Sequence, residues 1–569
     1  MYAQPPLVEC VPNFSEGRDR AVIERITARI AAVEGVRLLD VDPGRATNRT
    51  VVTFVGAPQP VVEAAFQAIR EAAELIDMRR HRGEHPRMGA TDVCPFVPIN
   101  GITMDEASEL ARELAARVGE ELGIPVFLYE RAATRPDRAN LANVREGEFE
   151  GLAAKLERPE WRPDFGPARP HATAGATAIG AREFLVAYNI NLNTTSTRRA
   201  NAVAFDIRER GRMARVGDSL AGPIARDQEG EVIWEPGALK HVKAIGWFIE
   251  EYGIAQVSCN LTNIHETPVH MAFEEARRSA EARGMRVTGS ELVGLVPLEA
   301  VLEAGRYFLR KQQRSLGVPE AELVKIAVRS LGLDDLAPFD PAAKIIEYRM
   351  TERRVGPLAG LDLAAFADET AAESPAPGGG SVAAYVGALG AALGTMVANL
   401  SAHRRGWDDR WEEFSGWAVR GMRHKDALVR LVDEDTRAFD GLMAAFRLPS
   451  SGPGESAARD AAIEAATRQA IEVPLAVMRA AVESMDVMRA MAESGMSSSA
   501  SDVGVAALCA HAAARGAHLN VRINLRGVTD DAYAQRVGTE ALELERRAAA
   551  AEVEVLALIE RNLARPDAV

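Results

Sequence analysis

Residues 77–90 read DMRRHRGEHPRMGA and gather side chains suited to moving a proton and holding a carboxylate. His81 and His85 stand four apart, with the acid Glu84 between them and Arg79, Arg80, Arg82 and Arg87 around them. Imidazole titrates near neutral pH and serves as acid or base. Guanidinium groups bind carboxylates through paired hydrogen bonds. The order His81, Glu84, His85 is not the HExxH zinc motif, and no helix is evident beyond it. Pro86 and Gly89 also suit an ordinary turn, so a solvated basic loop with a structural histidine fits the same residues.

Two further polar clusters fall at strand ends. Asp40, Asp42, Arg45, Asn48 and Arg49 surround one connection, and Asn189, Asn191 and Asn193 recur at every second residue. That period puts the three amides on one face of a strand, either as ligand contacts or as a solvated sheet face.

Later, SPAPGGGS at 374–381 opens onto an apolar helix, with Gly378, Gly379 and Gly380 at its start. Glycines before a helix free backbone N–H groups to meet an anion, or form a flexible cap. The spacing is not that of a nucleotide-binding P-loop. In RLVDEDTRAFD at 430–440 the acids share a helix with Leu431, Val432, Ala438 and Phe439. Asp433 and Asp440 lie two turns apart, hence on one face. A carboxylate near apolar groups gains a raised pKa and can act as general acid. An acidic face balanced by Arg430 and Arg437 is the structural alternative.

The elements that position these groups change character along the chain. In the first 180 residues strand and helix periodicities alternate: strands at 7–12, 36–41, 50–55 and 125–129, helices at 20–33, 58–76 and 104–122. The order predicts a split βαβ, ferredoxin-like sheet with helices on one face. WRPDFGPARPHATAGATAIGA, from 161, reads as a loop or linker. A second α/β unit follows, with strands at 184–192 and 255–261, helices at 197–210 and 269–281, and an insertion loop or hairpin at 211–240. Helices at 298–308 and 319–331 complete this half. From about 357, alanine-rich helices at 381–403, 411–445, 457–493, 501–524 and 530–563 predict an all-α bundle. The predicted organisation is two α/β subdomains, 1–180 and 181–335, a linker at 336–356, and a helical domain at 357–569.

With 569 residues the chain exceeds what one hydrophobic core sustains. Its net charge of -14, without a basic stripe interleaved with aromatics, argues against nucleic acid as a partner. Cys10, Cys94, Cys259 and Cys509 form no CxxC pair, and the first residues lack the pattern of a secretory signal. A cytoplasmic location is expected. The apolar stretch 381–402 reads as a helix buried in a helical core or oligomer interface rather than a membrane span.

Longer motifs carry a family resemblance. LVECVPNFSEG at 7–17, TNRTVVTFVG at 47–56, RHRGEHPRMGATDVCPF at 80–96 and STRRANAVAFDIRERG at 196–211 resemble the transferase half of formimidoyltransferase-cyclodeaminase, a bifunctional folate enzyme of histidine degradation. PAPGGGSVAAYVGALGAALGTMV at 375–397, LVDEDTRAF at 431–439 and NVRINLRGVTDD at 520–531 resemble its cyclodeaminase half. The resemblance implies transfer of the formimidoyl group from N-formimidoyl-L-glutamate to tetrahydrofolate. Cyclisation to 5,10-methenyltetrahydrofolate with loss of ammonia then follows.

On this resemblance His85 is the transferase's catalytic histidine, and Asp435, not singled out by helix geometry, is the acid of the second site. The folate-binding loop maps onto Gly166, Pro167, Ala168, Arg169, Pro170, His171, Ala172, Thr173, Ala174 and Gly175, a run less aromatic than the family's version. Arg79, Arg80, Arg82, Arg87, Asn189, Asn191, Gly378, Gly379 and Gly380 are the candidate substrate contacts. Tetrahydrofolate is implied as substrate and one-carbon carrier, with no metal, no nucleic acid and no membrane, and with a homo-oligomer formed through the helical domain. The helical-domain family also includes methenyltetrahydrofolate cyclohydrolases. Insertion 211–240 is longer than in the vertebrate proteins.

Overall fold

The computed structural model describes residues 6–44, 48–82, 86–216, 222–350, 356–374 and 376–563. Two compact units divide the chain: Met1–Ala300 with Leu331–Met350, and Val301–Ser330 with Thr351–Val569.

The first unit holds two mixed subdomains with one recurring topology. In the first, the sheet runs in space from Val36–Gly44 through Arg49–Gly56 to the short strands Leu7–Cys10 and Asn13–Phe14, then to Thr91–Asn100, Thr177–Ala181 and Val126–Glu130. Its first four positions are antiparallel and follow the split βαβ order that the alternating periodicities predict. Helices Arg20–Ala31, Pro58–Leu75 and Met104–Glu121 cover one face, burying Ile26, Ile30, Phe66, Ile69 and Leu114 with Phe54 and Phe96. Thr103 and Glu106 cap the third helix reciprocally, which fixes where it starts.

The glycine- and proline-rich run from 161, expected as loop throughout, is part strand. Thr177–Ala181 pairs in parallel with both Thr91–Asn100 and Val126–Glu130. Its small residues are buried, and short parallel strands of this kind lack the alternation that marks a half-exposed one. Helices Leu141–Arg145 and Glu148–Leu156 close the far side of this end, where Val144, Leu152 and Leu156 pack on Phe127 and Tyr129.

The second subdomain is a four-stranded antiparallel sheet ordered Val242–Ile249, Ile254–Leu261, Val186–Leu192, Val287–Val293. Its edge strand, Val242–Ile249, is one the sequence reading did not identify. Asn201, on helix Thr197–Ile207, closes that edge: its amide bonds both N–H and C=O of Gly246, at 3.0 and 3.1 Å.

The second unit is helical, with Gly379–Ala402, Trp411–Phe446, Pro453–Ser494, Ala500–Asn524 and Asp531–Leu563 packed on one another around a single core. Helix Gly379–Ala402 is apolar enough to cross a membrane but is mostly buried here, as a core helix. Residues 301–330, placed by sequence pattern with the second α/β subdomain, cluster with this helical unit. Leu316 N donates to Ser415 Oγ at 3.0 Å, and Asn399 Nδ2 donates to Gly317 O at 2.8 Å.

Candidate functional sites

The histidine–arginine motif is a rim loop following helix Pro58–Leu75, and the structure separates its members. His81 is buried, with Nε2 at 2.8 Å from the carbonyl of Asn48 and Nδ1 accepting from Arg87 Nε at 3.2 Å. Arg87 can only donate, so His81 is the neutral tautomer with its proton on Nε2. Burial holds its pKa below the ordinary value, and Arg87 adds to the effect. Both ring nitrogens are occupied, which makes His81 a structural residue.

Residues 83–85, and with them Glu84 and the expected catalytic His85, lie outside the described residues. Their anchors on both sides are in place. Asn48, at φ 48°, accepts from Gly17 N through Oδ1 at 3.0 Å and donates to the Arg82 carbonyl at 3.1 Å. Arg45, of the same cluster, also lies outside the described residues.

The four arginines divide as well. Arg87 is buried and pairs with Glu148 at 2.6 Å and Glu150 at 2.7 Å, so it ties the loop to helix Glu148–Leu156. Arg79 turns back onto Asp77 at 2.8 Å, and Arg80 lies 3.8 Å from the same carboxylate. Arg82 is exposed, with Nη1 on the His81 carbonyl.

The loop 166–175 lies directly against this rim. Met78 N donates to Thr173 O and Ala90 N to Ala174 O, each at 2.9 Å, and Ala176 N donates to Met88 O at 3.1 Å. Within the loop, His171 Nδ1 accepts from Ala174 N at 3.1 Å. Two segments some eighty residues apart in sequence are thus stitched together through main chain.

Asn189 and Asn191 sit on the second subdomain's sheet. Asn191 is 0% exposed and fully engaged, donating to Asp335 Oδ2 at 3.0 Å and accepting from Gln256 Nε2 at 2.8 Å. Asn189 Nδ2 lies 3.4 Å from Glu291 Oε2. These two amides are buried and polar-bonded, whereas Asn193, past the strand's end, is exposed and accepts from Arg286 N at 2.7 Å.

A carboxylate that motif reading passed over, Glu9, is buried within the first sheet, where desolvation raises its pKa from 4.5 to about 7 against the pull of Arg182. Its only sequence signal is a charge between the core positions Val8 and Cys10 of a strand.

In the helical unit two acids of helix Trp411–Phe446 have opposite surroundings. Asp433 accepts from Leu358 N at 2.8 Å and Ala359 N at 3.2 Å, pinning the chain that enters the unit. Gly356 lies so close over this carboxylate that a Cβ would overlap it. Asp440 is exposed, so the pair that period alone placed on one face is not a site.

Asp435 instead meets the start of helix Gly379–Ala402. Ser381 Oγ donates to its Oδ2 at 3.0 Å, and Thr436 Oγ1 lies 3.3 Å from the same hydroxyl. A Cβ on Gly380 would collide with this carboxylate, so that glycine admits the acid. Burial raises the pKa of Asp435, while bonds from the Ser381 side chain and backbone oppose the rise. Asn520, of the third helical motif, reaches this corner, with Nδ2 3.8 Å from where a Cβ of Gly379 would stand. Ser381, Thr436 and Asn520 were not legible as site residues, because only packing brings three helices to one point.

Fold and sites together define an enzyme of two joined modules. One holds a histidine-bearing rim against the loop 166–175, and the other holds a half-buried acid at the start of a glycine-rich helix. Family models match along its length: the N-terminal subdomain of the formiminotransferase domain over 7–182, the formiminotransferase domain over 187–351, and formiminotransferase-cyclodeaminase over 362–543. The formimidoyltransferase-cyclodeaminase of Rattus norvegicus is 44% identical over 533 residues, 93% of this chain and 94% of its own. The glutamate formimidoyltransferase of Streptococcus pyogenes is 45% identical over 304 residues, 53% of this chain and 93% of its own. The methenyltetrahydrofolate cyclohydrolase of Methylorubrum extorquens is 38% identical over 170 residues, 30% of this chain and 82% of its own. The chain belongs to the formimidoyltransferase-cyclodeaminase family.

Proposed function

We propose that this chain performs two consecutive one-carbon steps on one folate. In the first unit, N5 of tetrahydrofolate attacks the formimidoyl carbon of N-formimidoyl-L-glutamate, and the tetrahedral intermediate expels glutamate. His85 takes the N5 proton and returns one to the leaving amine. Its neighbour His81 is unsuited to that task, having both nitrogens engaged. The loop 166–175, bonded to the same rim, holds the folate. Arg82, exposed and three residues before His85 in the sequence, is the best placed of the four arginines for a glutamate carboxylate, whereas Arg87 is committed to Glu148 and Glu150.

In the helical unit N10 closes on the formimino carbon, and Asp435 protonates the departing amine as ammonia leaves. The carrying observation is the Asp435 carboxyl, raised in pKa by burial and oriented by Ser381 where Gly380 leaves room. Incubating the chain with formimidoylglutamate and tetrahydrofolate, while following ammonia and methenyl-folate absorbance, tests both steps. Equal yields of the two products are expected. Accumulated formimino-folate would leave only the transferase step standing.

The cyclohydrolase relative favours a second reading of the helical unit, as a hydrolase of methenyl-folate. Methenyl-folate consumed without ammonia formation would select it.

The same reading has the chain working as a homo-oligomer in the cytoplasm. Leu389, Met396 and Leu400 on one helix, and Val505, Leu508, Leu519 and Ile523 on the helix packed beside it, stay exposed. These side chains suit burial against a second copy of the bundle. Its thiols are free, as expected of a reducing compartment.

A further inference from the structure

Described residues of segment 211–240, to which the proposed function gives no role, border a concavity on the helix-covered side of the second sheet. Arg212–Met213 pairs with Trp234–Glu235, and this hairpin leans on helix Thr197–Ile207 to enclose about 540 Å³. The cavity lies away from the asparagine row. Gly246, Val257 and Ile190 stand opposite one another across three strands, and a Cβ on Gly246 would strike Ala200 of the helix. Asn191 and Gln256, next in register, therefore point to the other face.

Arg198, Arg208, Arg212 and Arg215 line the cavity together with Phe205 and Trp234, and among its described lining residues there is no carboxylate. In a chain of net charge -14 this local excess of cations is unusual. Arg212 is neutralised from behind by Asp206 and Glu235. Arg208 is held by carbonyls, donating to Gly211 O at 2.8 Å and Ala244 O at 3.4 Å, and lies 4.0 Å over the Phe205 ring. Burial and neighbouring Arg210 push the Arg208 pKa down, the response of a guanidinium held without a counter-charge. Arg210 lies 4.0 Å over Trp234. Arg198 and Arg215 are exposed at the mouth. Such groups repel one another until an anion enters, and the rings offer flat apolar walls. The volume falls within the range of about 300–1,000 Å³ common for small-molecule sites.

We propose that this cavity binds a small planar aromatic anion, a ring carrying carboxylate or phosphate groups, at a site separate from both folate steps. Calorimetric titration of the full chain with isophthalate, which is no part of folate, in one arm and AMP in the other separates the carboxylate-bearing ligand from the phosphate-bearing one. Binding is expected in at least one arm, weakened about tenfold or more by the double variant Arg198→Glu/Arg215→Glu. Trp234→Ala should weaken the same arm several-fold while leaving the charges in place. Formation of ammonia and methenyl-folate without either probe should be unchanged in both variants, which also reports that they fold. Absence of binding in both arms overturns the proposal, as does binding that survives the double variant.

Discussion

The described side chains at the two candidate sites stand in opposite surroundings. At the rim of the first unit most described polar side chains are engaged: His81 by the Asn48 carbonyl and Arg87, Arg87 by Glu148 and Glu150, Arg79 by Asp77. At the start of the glycine helix one carboxylate, Asp435, has two hydroxyls for company and no described cation paired with it. An interlocked network fixes geometry and leaves its members inert, whereas a sparsely solvated acid keeps its proton available. A dense motif of chemically able residues can therefore be mostly scaffold, and a lone acid on a long helix can be the reagent.

Several substitutions would break or sharpen that contrast. The largest effect is expected from Asp435→Asn, which keeps the shape and hydrogen bonding but has no proton to give. Ammonia release should fall by about 10²–10⁴-fold, with glutamate release intact and formimino-folate accumulating. Loss of both products together would contradict two separate sites.

Next comes Glu9→Gln, which tests burial without a hydroxyl partner. Below about pH 4.5 the carboxyl is neutral in both folded and unfolded chains, so burying it costs nothing in ionisation. Between 4.5 and about 7 only the unfolded chain ionises, stability falls as pH rises, and above about 7 the full penalty stands. The glutamine variant should be more stable at pH 8 by about 3 kcal/mol at most and little changed at pH 4. Denaturant melts at the two pH values measure this.

Asp433→Ala strips two backbone N–H groups of their acceptor and should cost about 1–3 kcal/mol of stability. Ammonia release per folded chain should hold. A collapse in turnover without a change in stability would instead place Asp433 in the chemistry.

The smallest effect is that of Ser381→Ala. The hydroxyl favours the charged form of Asp435, so its removal should raise the acid's pKa further. With protonated Asp435 as the proposed donor, the fall in rate at high pH should move to higher pH. A fall that stays in place in S381A would make Ser381 a packing residue only.

Alanine-rich composition and the loss of strand-like alternation gave nearly every long helix of the second unit to within a few residues. Periodicity gave most helices and strands of the first half. It also gave the split βαβ order of the first subdomain. It did not give Thr177–Ala181, whose small residues mimic a loop, nor Val242–Ile249, an edge strand whose exposed positions Ile245, Trp247 and Phe248 are apolar and hide its alternation. The motifs located both candidate sites, yet spacing along one helix favoured Asp433 with Asp440 over Asp435.

By itself, then, the sequence determined the division into an α/β half and a helical half, and the segments in which chemistry would lie. Tertiary structure decided what surrounds each described residue, holding His81 and Asp433 in fixed bonding and setting Asp435 beside a glycine gap. The helix repeat says only which side chains share a face. Whether a carboxylate on that face meets backbone N–H groups, as Asp433 does, or a glycine gap beside a hydroxyl, as Asp435 does, depends on what another part of the chain brings to it.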